Sequence, residues 1–198
     1  MKVGVYGGTF DPPHVGHLLL AEQAREQLRL ERVLWVPAGD PWRKSGRTVS
    51  SAADRVAMVR AAIEGNDAFA VCELEAEREG PTYSVETLDE LHRQRAKDEL
   101  FFLLGLDALL DLPNWHEPAR LIELASLAVA PRGEAQPSVE ELGRLLPGLA
   151  ARVAWVKMPR IDVSGTELRR RAAEGRSLRY AVPDAVARYI RQQRLYRP

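Results

Sequence analysis

The sequence predicts an α/β fold, a parallel sheet with helices on both faces. Short β-rich runs alternate with helical patterns almost throughout the chain, the order of elements that right-handed βαβ units require. Two of the runs, 33–36 and 100–104, are continuously apolar, as strands buried on both sides are. The length agrees: 198 residues suit one domain with a comfortable core and no disulfide staple.

The elements follow in order. Residues 2–6 are a β run closed by Gly7-Gly8, and 17–28 are helical, with Leu20, Ala21, Ala24 and Leu28 on one face. Strand 33–36 ends at Pro37, and a polar loop covers 38–50. Ser51, with Asp54 three residues on, reads as an N-cap opening a helix to Ile63. Strand 69–74, helix 84–94 and strand 100–104 come next. Short helices at 106–110 and 118–124 lead to strand 127–130, helix 139–146 and strand 153–156. Helices at 166–173 and 183–193 finish the chain, and 131–137 is expected to be a mobile surface loop.

Composition narrows the function. Charged residues make up 28% and hydrophobic residues 45%, ordinary for a soluble globular protein. Lys+Arg 28 balance Asp+Glu 28. A general nucleic-acid binder needs surplus cations, so no nucleic-acid partner is expected; a locally basic pocket for a small anion is compatible with neutrality. Cys72 is the only cysteine, so no intramolecular disulfide can form and a reducing cytoplasm is expected. Its neighbours Ala70, Val71 and Leu74 suggest a buried strand thiol. The first residues enter a strand directly, and no apolar run reaches membrane-spanning length, so neither a signal peptide nor a membrane partner is expected.

The first strand runs into Gly7-Gly8-Thr9-Phe10-Asp11-Pro12-Pro13-His14-Val15-Gly16-His17 and then a helix. Glycines admit a ligand close to the backbone, and a helix N-terminus offers free N–H groups and a positive dipole end, both suited to phosphate. His14 and His17, three apart, share a face once helical. On the residues alone, a tight turn with two incidental histidines and a zinc site remain open, although no further ligand cluster accompanies the pair. The spacing is neither G-x-G-x-x-G nor G-x-x-x-x-G-K-[ST], which argues against a dehydrogenase or a P-loop kinase.

The run Gly7-Gly8-Thr9-Phe10-Asp11-Pro12 with His14-Val15-Gly16-His17 resembles the signature of the HIGH-type nucleotidyltransferases, the bacterial nicotinate-nucleotide adenylyltransferases in particular, and the likeness extends over essentially the whole chain. It implies one Rossmann-like nucleotidyltransferase domain over 1–198, with helices from about 164 onward completing a phosphate site. It implies that His14 and His17, with Gly7, Gly8, Thr9 and Phe10, contact ATP. Val163-Ser164-Gly165-Thr166-Glu167-Leu168-Arg169 has capping-box spacing between Ser164 and Glu167, a plain helix start or a second phosphate site. It resembles the family's I-S-S-T-x-I-R signature, with Gly165 in place of a serine, and implies Ser164, Thr166 and Arg169 on the β- and γ-phosphates.

Further segments resemble the family's. Asp40-Pro41-Trp42-Arg43-Lys44 is similar to its Pro-Pro-His-Lys segment, with Trp42 and Arg43 as departures, and implies Lys44 at the triphosphate. Gly105 and Asp107 match Gly-x-Asp and imply adenosine contact. Tyr83, Ser84, Trp115 and His116 match positions that frame the family's pyridine pocket, His116 standing where tyrosine is more usual. The implied activity is adenylyl transfer from ATP to nicotinate mononucleotide, with His17, His14, Lys44 and Arg169 in catalytic roles. Magnesium is expected on the ATP phosphates, and no metal is expected on protein ligands. Rival readings are another phosphorylated acceptor (nicotinamide mononucleotide or phosphopantetheine) and a non-catalytic nucleotide sensor; a homo-oligomer is left open.

Overall fold

A computed structural model describes residues 1–39, 49–131 and 136–197. Six strands, β1 (Lys2–Gly8), β2 (Arg32–Pro37), β3 (Phe69–Val71), β4 (Glu99–Gly105), β5 (Ser126–Ala130) and β6 (Val153–Trp155), form one sheet in the order β3-β2-β1-β4-β5-β6. β1 pairs with β4, β4 with β5 and β5 with β6, all parallel, with Val3 opposite Leu100 and Val129 opposite Leu104. The expected α/β class is the class found. The strand order reverses between β1 and β4, the topological switch point of such a sheet.

Eight α-helices accompany the strands among the described residues: α1 (Val15–Leu28), α2 (Ala52–Ile63), α3 (Ser84–Gln94), α4 (Leu106–Asp111), α5 (Pro118–Leu124), α6 (Val139–Leu145), α7 (Gly165–Ala173) and α8 (Asp184–Gln192). α2 starts as its cap requires, Ser51 Oγ accepting from the Asp54 N–H at 3.1 Å. Two short 3-10 turns, Leu112–Asn114 and Leu149–Arg152, carry no helical periodicity and escape a sequence reading.

Three local expectations need correction. β3 stops at Val71, because turn bonds from Glu77 N–H to Glu73 O and Arg78 N–H to Glu75 O draw the chain away. Cys72 therefore lies beyond the strand and is half-buried, although its N–H still donates to Trp35 O at 2.8 Å. At α7 only half of the capping box forms. Ser164 Oγ accepts from the Glu167 N–H at 3.3 Å, while the Glu167 carboxylate turns to Arg170. His14, finally, precedes α1 rather than lying in it; its carbonyl accepts from the N–H groups of His17 and Leu18. The expected mobile loop 131–137 falls in part on residues outside those described.

The chain groups into two compact units: Met1–Gly7, Leu20–Leu34 and Tyr83–Arg160 in the first, Gly8–Leu19, Trp35–Thr82 and Ile161–Pro198 in the second. In the first, Leu30, Val33 and Leu103 crowd Gly4, where a Cβ would stand 3.0–3.2 Å from all three. In the second, Met58, Leu168, Leu178, Val182, Val186 and Ile190 form a buried cluster joining α2, α7 and α8.

Candidate active site

The second unit gathers the phosphate-type residues. β1 ends in Gly8, where a Cβ would stand 2.9 Å from the Phe10 ring, so only glycine lets that ring fold back into the core. The turn delivers His14 and His17 with their rings stacked, centroids 3.6 Å apart and planes 23° from parallel. The backbone N–H of His14 donates to Nδ1 of His17 at 3.1 Å. With Nδ1 an acceptor, the neutral His17 ring carries its proton on Nε2. The Phe10 edge, 5.2 Å from the same ring, fixes its tilt. His14 is 8% exposed, its Nδ1 has no hydrogen-bond partner, and burial pushes its pKa down to about 4. A buried, unpartnered ring nitrogen beside a helix N-terminus awaits a polar ligand.

α7 brings the second group. Ser164 caps the helix, and Arg169 reaches back across its first turn, Nη1 donating to Asp11 O at 2.7 Å and Nη2 to Thr166 Oγ1 at 3.2 Å. Gly165 explains itself here. A Cβ would meet Asp11 O at 3.1 Å and Arg169 Nη1 at 3.3 Å, tight enough to push the guanidinium off this path. The structure thus brings together His14, His17, Thr166 and Arg169 through the Phe10–Asp11 turn. Lys44, with Asp40, Pro41, Trp42 and Arg43, lies outside the described residues.

The first unit holds the other candidates. Tyr83 is the N-cap residue of α3, and its ring meets the His116 ring at 4.4 Å. Trp115 donates from Nε1 to Asp111 Oδ2 at 3.3 Å, and Asn114 donates to Asp111 Oδ1 at 3.1 Å, so one carboxylate sets both. The Trp115 ring stands edge-on to Phe102 at 6.1 Å. Ser84 opens α3, where its N–H has no carbonyl partner within the helix. Gly105 ends β4 as the N-cap residue of α4, and Asp107 stands in the first turn.

A family model described as cytidylyltransferase-like matches residues 5–171. A probable nicotinate-nucleotide adenylyltransferase of Thermomicrobium roseum is 45% identical over 196 residues, covering 99% of this chain and 92% of the relative. Another, from Exiguobacterium sibiricum, is 46% identical over 197 residues, 99% of each chain. A solved structure of the Plasmodium falciparum nicotinic acid mononucleotide adenylyltransferase complexed with NaAD matches with a TM-score of 0.81 at 17% identity, covering 98% of this chain and 97% of that one, a likeness of fold.

The chain belongs to the cytidylyltransferase-like family, on its nicotinate-nucleotide adenylyltransferase branch.

In this member of the family, three residues to which the sequence reading gave no role support the turn. Arg55 is 1% exposed on α2 and donates to four carbonyls: Thr9 O at 3.2 Å, Ser50 O at 3.0 Å, Gly39 O at 2.7 Å, and Ala38 O. It ties the turn after β1 to the chain on either side of 40–48. Asp11 is buried, with Oδ1 accepting from Tyr196 OH at 2.5 Å and Oδ2 from the Ser50 N–H at 3.3 Å. Burial first, and the Asp11 charge second, push the Tyr196 pKa well above its ordinary value, so it stays a donor. One sequence signal existed: Arg55 interrupts the apolar face of α2 beside Val56 and Val59, where a lone cation needs buried acceptors.

Proposed function

We propose that the chain transfers the adenylyl group of ATP to nicotinate mononucleotide, giving nicotinate adenine dinucleotide and pyrophosphate. The observation that carries this reading is the stacked histidine pair, with the His14 backbone fixing the His17 ring proton on Nε2, in a chain of this branch.

The attacking group is the acceptor's own 5′-phosphate, largely ionised at neutral pH because its second pKa is ~6. Its oxygen attacks the α-phosphorus of ATP, the bond from that phosphorus to the bridging oxygen breaks, and the electron pair leaves on pyrophosphate. No protein base is needed, so the work of the side chains is alignment and charge stabilisation. His17 Nε2–H donates to the α-phosphate, where charge grows. Neutral His14 stacks on it and offers its single ring N–H to a neighbouring phosphate. Ser164, Thr166 and Arg169 take the β- and γ-phosphates, Arg169 exchanging Asp11 O for phosphate oxygens, and Lys44 joins them. Gly7, Gly8, Thr9 and Phe10 shape the turn, Gly105 and Asp107 take the adenosine, and Tyr83, Ser84, Trp115 and His116 the pyridine.

Magnesium fits as an ion carried by ATP. The buried Asp11 carboxylate is already engaged by Tyr196 and Ser50, and among the described residues no group of three or more His, Cys, Asp or Glu could hold a metal. Bound to phosphate oxygens and water, magnesium would neutralise charge on the departing pyrophosphate. In this reading the chain acts as one nucleotidyltransferase domain in the cytoplasm; the described residues include no helix able to cross a membrane.

Purified protein given ATP, magnesium and nicotinate mononucleotide should release pyrophosphate and form the dinucleotide. Omission of any one should abolish both products. Absence of dinucleotide from the complete mixture would overturn the proposal.

A further inference from the structure

We infer that the C-terminal helices carry a second binding site, for a small ligand bearing two or more phosphoryl groups, separate from the phosphate residues of the active site. The inference stands independently of the proposed reaction. A cavity of about 480 Å³ opens between α7 and α8 within the second unit. Arg176, Arg179, Arg188, Arg191 and Arg197 line it, against the single carboxylate of Asp184. Leu178, Ile190 and Leu195 supply an apolar floor.

The arginines around this cavity differ from the others nearby. Arg169 is engaged by Asp11 O, Arg170 by Glu167 and Glu174, and Arg171 by Ser177 O. Arg176 meets Glu174 at 3.4 Å. Among the described residues, no ion pair engages Arg179, Arg188, Arg191 or Arg197. On α8, Asp184, Ala187, Arg188 and Arg191 follow helical spacing, so one stripe of the helix faces the cavity while Val186 packs into the core. Residues 165–197 hold nine arginines against Glu167, Glu174 and Asp184, a local charge of +6 in a chain whose net charge is zero. Like charges gathered around one concavity repel unless an anion enters it.

Position separates this cavity from the active site. Ser164, Thr166 and Arg169 belong to the start of α7, whereas Ala172, Gly175 and Arg176, at and beyond its end, line the cavity. A helix rises ~1.5 Å per residue, so Arg169 and Ala173, the last residue of α7, are about 6 Å apart along the axis, and Arg176 follows that end in the chain. Ligand chemistry follows from the lining. Planar guanidinium forks match phosphate oxygens two at a time. The volume falls in the ~300–1,000 Å³ range of small-molecule sites. The apolar floor suits a base or another flat ring. A nucleoside polyphosphate or a dinucleotide has all three features.

The test is the stoichiometry of ADP binding to the full chain, by calorimetry, in wild type and in Arg188→Ala/Arg191→Ala. Both residues are exposed, so the variant should keep its thermal midpoint and its kcat. The expected result is one ADP fewer per chain in the variant. Arg179→Gln alone should weaken that same site by about tenfold, the loss of one charge-assisted contact. Equal stoichiometry and unchanged affinities in all three proteins would overturn the proposal. Binding of a single-stranded oligonucleotide, lost in the variants while ADP binding is unchanged, would overturn it too and assign the arginines to a nucleic-acid backbone. Dinucleotide synthesis assayed on the same preparations keeps this outcome distinct from that of the proposed reaction.

Discussion

The tautomer of His17 is set by His14. The backbone N–H of His14 donates to His17 Nδ1 at 3.1 Å, which places the ring proton on Nε2. A ring held by its neighbour's backbone, stacked on that neighbour's side chain and braced by Phe10 is preorganised as a donor.

His17→Ala should therefore lower kcat far more than it weakens ATP binding. Charge at the α-phosphate grows toward the transition state, so a donor aimed there acts differentially. By analogy with removal of one oxyanion-hole donor, the loss should be roughly 10²–10³-fold. Steady-state kinetics with varied ATP decide it: near-normal kcat with raised KM would confine His17 to ground-state binding.

His14 makes stability depend on pH. Burial lowers its pKa from 6.5 to about 4, so between these values the unfolded chain binds a proton that the folded chain refuses. Stability from this group is complete above the unfolded value and is lost as pH falls toward 4, about 3 kcal/mol in all and about 2 kcal/mol between pH 7 and pH 5. Urea unfolding at pH 7 and pH 5 should show this loss, and His14→Gln should reduce it. An unchanged pH dependence in the variant would place the effect elsewhere.

Arg55→Met should destabilise the fold by about 4 kcal/mol, because it strips a charged donor from several buried carbonyls at once. The carbonyls include Thr9 O in the turn and Gly39 O and Ser50 O on either side of 40–48. Any folded fraction should therefore also show a raised KM for ATP. Denaturant midpoints together with KM measure both effects; full stability in the variant would refute the anchoring role.

The proposed acceptor pocket should prefer nicotinate over nicotinamide mononucleotide. Trp115, oriented by Asp111, can stack on either ring. Backbone N–H groups of Ser84 and His116 would match a carboxylate, which only accepts, whereas an amide NH₂ would leave a donor unpaired. The difference should be ~2–4 kcal/mol, about thirty- to a thousand-fold in kcat/KM. Side-by-side kinetics that return equal values would dismiss the pocket assignment and leave adenylyl transfer intact.

By itself the sequence determined the order and type of the strands and α-helices, most of their ends to within a residue or two, and the serines that cap α2 and α7. These are local matters: apolar periodicity, glycine turns and a serine whose hydroxyl caps an N–H three residues ahead. The tertiary structure alone decided how the residues proposed for the phosphates are held. Arg169 meets Asp11 across 158 residues of chain and Tyr196 meets it across 185, while Arg55 reaches Thr9 across 46. No spacing rule encodes such partners. Gly165 looked like a lost hydroxyl in the sequence, and only the folded chain shows it as the space through which Arg169 reaches the turn. The reason is physical: a cap is satisfied by its own helix, whereas a buried cation takes whatever acceptors the fold brings to it.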